Sequence, residues 1–154
     1  MLSHVGDNDQ ARPVDIGGKA VTRRAAHARS IVELPAELAA LAEGGALATK
    51  KGPVFETARL AGIMGAKRAS ELIPLCHPLA IEDCQIEIAL QGNQVIIDCR
   101  VSIHHKTGVE MEALTGASVA ALTVYDMCKS VSHGIVIRET RLIEKRGGKH
   151  DYHV

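Results

Sequence analysis

The strongest alternation of apolar and polar positions lies in the middle of the chain. Cys84, Ile86, Ile88 and Leu90 alternate with Gln85, Glu87 and Ala89. After Gly92-Asn93, Val95, Ile97, Cys99, Val101 and Ile103 alternate with Asp98, Arg100, Ser102 and His104. This period of two across a short turn predicts a β-hairpin with one buried face. A weaker alternation from Thr22 to Ile31 predicts one long strand. Pro35 sits where a helix can start, Leu38, Leu41 and Ala42 give a short amphipathic stretch, and Gly44-Gly45 ends it. Thr49 to Pro53 reads as a basic loop carrying Lys50 and Lys51. From Glu56 to Ile73 the period is helical, with Leu60, Ile63 and Met64 for bulk and Ala58, Gly62, Gly65 and Ala66 for close approach. Pro74 stops that helix, and Pro78 makes Leu75-Cys76-His77 a stiff, extended corner. A long helix is expected over Gly108–Ser132, a break at Gly134 and a strand over Ile135–Ile143. Strand, helix, two strands, helix, strand is the order of an antiparallel α+β domain with its helices on one face of the sheet.

Composition narrows this further. The chain has 154 residues, the size of one domain, with 46% hydrophobic but only 2% aromatic residues. Alanine, 21 residues by count, fills the gap, so the core should be thin and the helices closely packed. Eighteen basic and eighteen acidic side chains leave no net charge. That balance disfavours a general binder of nucleic acid or anionic membrane, and the lack of aromatics disfavours a single-strand reader built on base stacking. No apolar run approaches the ~20 residues of a membrane span. Residues 1–13 are polar and expected to be loose, with neither a signal nor a transit pattern, which predicts a cytoplasmic protein. Residues 14–146 are read as one domain, and 147–154 as a flexible basic tail.

Cys76, Cys84, Cys99 and Cys128 show no Cys-x-x-Cys spacing, and the neighbours Cys76-His77 and His104-His105 would point to opposite faces of a strand. Reduced thiols and no metal site are expected. Asp126 and Lys129, three apart on the predicted helix, share one surface. They could form an acid/base couple, though an exposed ion pair is the plainer reading from spacing alone. Glu110 and Glu112 suit the helix N-terminus. Glu112 and Asp126 are 14 residues apart, which is ~21 Å along a helix, so one small ligand cannot touch both on one chain. If both matter, a second chain must complete the site. His77, held between two prolines, is an acid/base candidate. Arg23-Arg24, Lys50-Lys51, Lys67-Arg68 and Lys145 through Lys149 are scattered basic groups that, brought together, would suit a polyanion such as a triphosphate. No phosphate-binding glycine loop of Walker or Rossmann type is present. The residues alone point to a small α+β enzyme or binding domain for an anionic metabolite.

Several blocks together resemble one family. They are Val14-Asp15-Ile16 with Lys19 and Arg24, Lys51-Gly52 with Thr57 to Ile63, and Leu72 to Leu79 around Leu75-Cys76-His77-Pro78. Lys106 to Thr115 around Gly108-Val109-Glu110-Met111-Glu112, Ala120 to Lys129, and Arg141 to Lys149 complete the set. The chain resembles the cyclic pyranopterin monophosphate synthase (MoaC) family over about residues 13 to 149. The resemblance implies a ferredoxin-like α+β fold and a homohexamer built as a trimer of dimers, with active sites between subunits. It implies a lyase that converts a 3′,8-cyclised dihydroguanosine triphosphate into cyclic pyranopterin monophosphate and pyrophosphate, on the route to molybdopterin. It implies no redox cofactor, and Mg2+ would enter only as a companion of the triphosphate, which nothing in the sequence indicates.

Carried over by position, the catalytic residues fall on Asp126, Lys129, Lys51 and His77. The substrate-binding set falls on Leu75, Cys76, His77, Glu110, Met111 and Glu112, with Arg24, Lys19, Lys145 and Lys149 at basic positions suited to phosphates. Two departures stand out. Gly17 takes the place of the usual serine, and Gly148-Lys149 is followed by His150-Asp151 where the family commonly continues with Ser-Gly. A non-catalytic nucleotide-binding module, or another small-anion lyase or isomerase, remains the alternative to the synthase.

Overall fold

The computed structural model describes residues 3–6 and 9–154. Met1, Leu2, Asp7 and Asn8, within the segment expected to be loose, lie outside the described residues. The elements are β1 (Thr22–Glu33), α1 (Ala36–Ala39), β2 (Ala48–Thr49), β3 (Gly52–Pro53), α2 (Val54–Lys67), α3 (Ala69–Leu72), β4 (Asp83–Gln91), β5 (Gln94–His105), α4 (Glu110–Cys128), β6 (Val136–Arg146) and β7 (Tyr152–His153). The main sheet is antiparallel in the order β4-β5-β1-β6-β7. With α2 after β1 and α4 after β5, this is the ferredoxin-like arrangement that the family resemblance implies.

The hairpin follows the alternation closely. Leu90 faces Val95 and Ile88 faces Ile97, and Gly92 supplies the left-handed turn at φ 62°. β1 is central, running against β5 from Thr22↔His105 to Glu33↔Gln94 and against β6 on its other side. Its positions Ala26, Ala28, Ser30 and Val32 are buried under the helices. Ser30 sits opposite Thr140, and their hydroxyls, 2.6 Å apart, satisfy each other there.

Small residues set the helix layer. Gly62, Gly65 and Ala66 of α2 meet Gly116, Val119 and Ala120 of α4 so closely that a Cβ on Gly62 would lie 2.8 Å from the Gly116 carbonyl oxygen. The largest fully buried side chains are Leu34, Leu38 and Ile97, with no aromatic among them. Close approach therefore replaces side-chain bulk as the source of packing contact.

Four boundaries differ from the expected ones. The helix predicted through Ile73 is interrupted at Arg68 (φ −114°, ψ 16°), which separates α3 from α2 and turns Ala69 into the core. The apolar period runs on through that break, so the pattern carried no sign of it. α4 is shorter than Gly108–Ser132 at both ends. The Lys50-Lys51 loop is a small turn closed by Ala48↔Pro53 and Thr49↔Gly52. β6 continues past Ile143 to Arg146, and β7 folds back on it through Glu144↔His153 and Lys145↔Tyr152. All four cysteines are free thiols, and among the described residues no helix is long and apolar enough to cross a membrane.

Candidate active site

The residues expected to carry chemistry fall into two groups at opposite ends of α4. At its C-terminal end, Asp126 receives Lys129 Nζ on Oδ1 at 2.9 Å and Lys51 Nζ on Oδ2 at 3.1 Å. Lys51 also donates to the Asp126 main-chain oxygen at 3.2 Å. Helical spacing explains the first contact. The second is tertiary. It arises because Thr49 Oγ1 donates to the Met127 carbonyl at 2.9 Å, and Val54 N donates to Leu47 O, fixing the turn that presents Lys51 to α4. Hydrogen bonds first from Lys129 and then from Lys51 hold the Asp126 carboxyl below its ordinary value. All three side chains are about half exposed, so the group is held ionised and open to a ligand. Such an arrangement can exchange protons between carboxylate and ammonium and can bind anionic oxygen.

The second group surrounds the start of α4. Glu112 is 2% exposed, with Oε2 accepting from Cys76 Sγ at 3.5 Å and Oε1 buried without a partner among the described residues. Burial, aided by the neighbouring Glu110, pushes the Glu112 carboxyl up. Burial also pushes the Cys76 thiol up, to about 11, with Glu112 adding to it. Cys76 is thus a thiol donor rather than a nucleophilic thiolate. His77 donates from Nε2 to the Val14 carbonyl at 2.6 Å, which places its proton there and leaves Nδ1 to accept when the ring is neutral. Leu75 is half-buried on the same corner, while Met111 is exposed on the first turn of α4.

Cations close this end. Lys145 Nζ pairs with Glu110 Oε1 at 3.1 Å, and Arg24 Nη2 donates to the Lys106 carbonyl at 3.2 Å. Lys106 Nζ in turn reaches the Gly17 carbonyl at 3.3 Å. Gly147 carries φ 94° and lies against Arg23, where a Cβ would fall 1.9 Å from the Arg23 carbonyl oxygen. Thr22 Oγ1 and the Asp151 carboxylate bind its two peptide groups at 2.8 and 3.1 Å. The tail thereby passes over Arg24. Lys19 and Lys149 are exposed and form no ion pair among the described residues.

Within one chain the two groups remain apart. Fourteen residues of α4 separate Glu112 from Asp126, about 21 Å of helix axis. Lys51, Asp126 and Lys129 are brought together, as are Cys76, His77 and Glu112, but the two sets do not meet.

Sequence reasoning passed over a third group. On the sheet face away from the helices, Asp98 accepts from His27 Nε2 at 2.6 Å and from Arg29 Nε at 2.8 Å. Partial burial raises its carboxyl, but the two donors outweigh this and hold it below the ordinary value. Two shallow concavities, about 260 and 440 Å³, lie on this face. None of the residues expected in the active site lines either one. The alternation of β1 and β5 places His27, Arg29 and Asp98 together, but only once the two strands are known to be paired. Similarly, His104 turns to Glu82 on the open side, at 2.8 Å from Nδ1, while His105 occupies the next, helix-facing position. Among the described residues no group of three or more His, Cys, Asp and Glu is placed to hold a metal ion.

Comparison with known proteins identifies the family. A model of the MoaC family matches residues 13–148. A cyclic pyranopterin monophosphate synthase of Xanthomonas oryzae pv. oryzae is 55% identical over 151 residues, spanning 97% of this chain and 92% of that protein. A molybdenum cofactor biosynthesis bifunctional protein of Synechocystis is 47% identical over 98% of this chain and 45% of its own length. Molybdenum cofactor biosynthesis protein 1 of Dictyostelium discoideum is 48% identical over 96% of this chain and 26% of its own length. The chain belongs to the MoaC family.

Proposed function

We propose that the chain is a cyclic pyranopterin monophosphate synthase in molybdenum cofactor biosynthesis, a phosphorus–oxygen lyase acting on the 3′,8-cyclised dihydroguanosine triphosphate in the cytoplasm. The observation that carries the reading is the Lys51–Asp126–Lys129 group, assembled from a turn and a helix that lie far apart in sequence. A module that only bound a nucleotide would gain nothing from a carboxylate between its cations. The reaction opens the guanine-derived ring, recloses it as a pterin, and turns the α-phosphate into a cyclic diester. A substrate hydroxyl attacks the α-phosphorus, the bond to the β-phosphate oxygen breaks, and pyrophosphate leaves. Ring rearrangement needs a proton acceptor and donors at one place, which ionised Asp126 and its two ammonium partners supply. His77, with Nδ1 free, and Glu112, whose carboxyl burial pushes up, provide further groups that hold or move protons. Arg24, Lys145, Lys19 and Lys149 would neutralise the phosphates.

Because the two groups sit ~21 Å apart on one chain, the reading requires a substrate bound between two chains. A homohexamer formed as a trimer of dimers provides such sites. Exposed Leu60 and Met64 on α2, Leu72 on α3 and Leu122 on α4 support association through the helix layer. The direct test supplies purified protein with the cyclised dihydroguanosine triphosphate and measures pyrophosphate and the fluorescent oxidised pterin. Both products should appear in equal amounts, and a folded preparation that yields neither would overturn the assignment.

A further inference from the structure

The sheet end beneath the start of α4 holds two side-chain nitrogens that are unpartnered among the described residues. Thr22 faces His105 and Arg24 faces Ile103 across β1 and β5. Ala26, Val101 and Ile103 of the same alternation are buried, so Arg24 and His105 lie on the helix-facing side as diagonal neighbours. Lys145, opposite Ala26, joins them from β6. Arg24 Nε and His105 Nδ1 are both buried and without a hydrogen-bond partner among the described residues. Two such groups on adjacent strands are costly to fold unless a ligand completes them.

Contacts hold Arg24 and Lys145 in place. The Arg24 guanidinium is anchored through Nη2 on the Lys106 carbonyl, the residue that follows His105. The tail runs along its other edge, where a Cβ on Gly148 would lie 3.2 Å from Nη1. Lys145 is drawn in by Glu110. An anchored guanidinium, a buried imidazole nitrogen and a lysine on one side of a sheet make a site for a polyphosphate oxygen. His105 stands outside the residues that the family resemblance assigns to substrate.

We propose that His105 is a further substrate-binding residue, its Nδ1–H and Arg24 Nε–H donating together to an oxygen of the triphosphate. The inference rests on the synthase reading only for the identity of the anion. It is tested with inorganic tripolyphosphate as a probe that needs no turnover.

Calorimetric titration of the full chain compares wild type with His105→Asn, His105→Gln and His105→Phe. Asparagine can place an N–H near the Nδ1 position, whereas glutamine places it further out and phenylalanine has none. The Gln and Phe variants should bind tripolyphosphate about tenfold more weakly, and the Asn variant within about threefold of wild type. With the cyclised substrate, KM should rise about tenfold in the Gln and Phe variants while kcat changes less than about threefold. Wild-type protein that does not bind tripolyphosphate overturns the proposal, as does equal affinity in wild type and both the Gln and Phe variants. If these affinities shift as expected but wild type makes no pterin, the clamp stands and the synthase reading falls.

Discussion

Replacing Gly62 with alanine tests whether the approach of α2 to α4 places Lys51 against Asp126. A Cβ there falls 2.4 Å from Ile86 Cδ1, 2.8 Å from the Gly116 carbonyl oxygen and 3.1 Å from Ala120 Cβ. Ile86 can change rotamer, but the Gly116 oxygen belongs to the backbone of α4. Ordinary contact lies near 3.5 Å, so the helices must part by roughly half an ångström or more. Overpacking of this kind costs about 1–3 kcal/mol, against about 1 kcal/mol recovered from alanine's better helix propensity. The net loss is about 1 kcal/mol, or about 2–4 °C in a chain of this length. Gly62→Val, with two more carbons in the same gap, should lose about 2–3 kcal/mol. Gly116→Ala meets Cys99 Sγ at 2.7 Å and the Gly62 carbonyl oxygen at 3.2 Å, so the Gly62→Ala/Gly116→Ala pair should cost less than the sum of its parts. α2 starts directly after Lys51-Gly52-Pro53, and α4 carries Asp126. The same separation therefore moves Lys51 from its carboxylate, and kcat at 25 °C should fall by about tenfold while the chain stays folded. Scanning calorimetry and pyrophosphate release give the two readouts. A Gly62→Ala variant that melts higher than wild type, as propensity alone would dictate, refutes the reasoning.

Two other substitutions separate chemistry from stability. Asp126→Asn removes a carboxylate held only by exposed ion pairs, so the melting temperature should move by no more than a few degrees while activity falls about 10²–10⁴-fold; comparable loss of both would mark a structural role. Glu112 keeps its proton to higher pH in the folded chain than in the unfolded one, where the carboxyl titrates near 4.5. The stability this gives is complete below that value and is lost as pH rises through the raised folded value. Glu112→Gln fixes the neutral form, so it should melt above wild type at pH 8 by a margin that closes toward pH 4. A margin that instead widens on acidification contradicts the burial argument.

The periodicity of two gave away the hairpin, and the glycines and alanines of the long helical stretches announced a close seam, because both signals are local. Arg68 interrupts a helix without interrupting the apolar pattern, so only tertiary packing reveals it. Of the site, the Asp126–Lys129 contact followed from helical spacing, and the family motifs pointed to Lys51. The hydrogen bond from Thr49 to the Met127 carbonyl, which presents Lys51 to the carboxylate, joins residues 78 positions apart and leaves no mark in either segment. His105 was read only as a neighbour of His104. Its pairing with Thr22, and hence its place beside Arg24, depends on the register of β1 against β5. The helix length argument that set Glu112 and Asp126 apart needed only the residue count, and the observed α4 preserves it.

Subunit complementation tests the shared site most directly. Asp126→Asn breaks one group and Glu112→Gln the other, and each variant alone should be nearly inactive. After co-refolding in equal amounts, each site draws its two halves from random chains, so about one site in four is intact and activity should return to about 25% of wild type. A mixture that stays as inactive as the separate variants would contradict a site built from two chains.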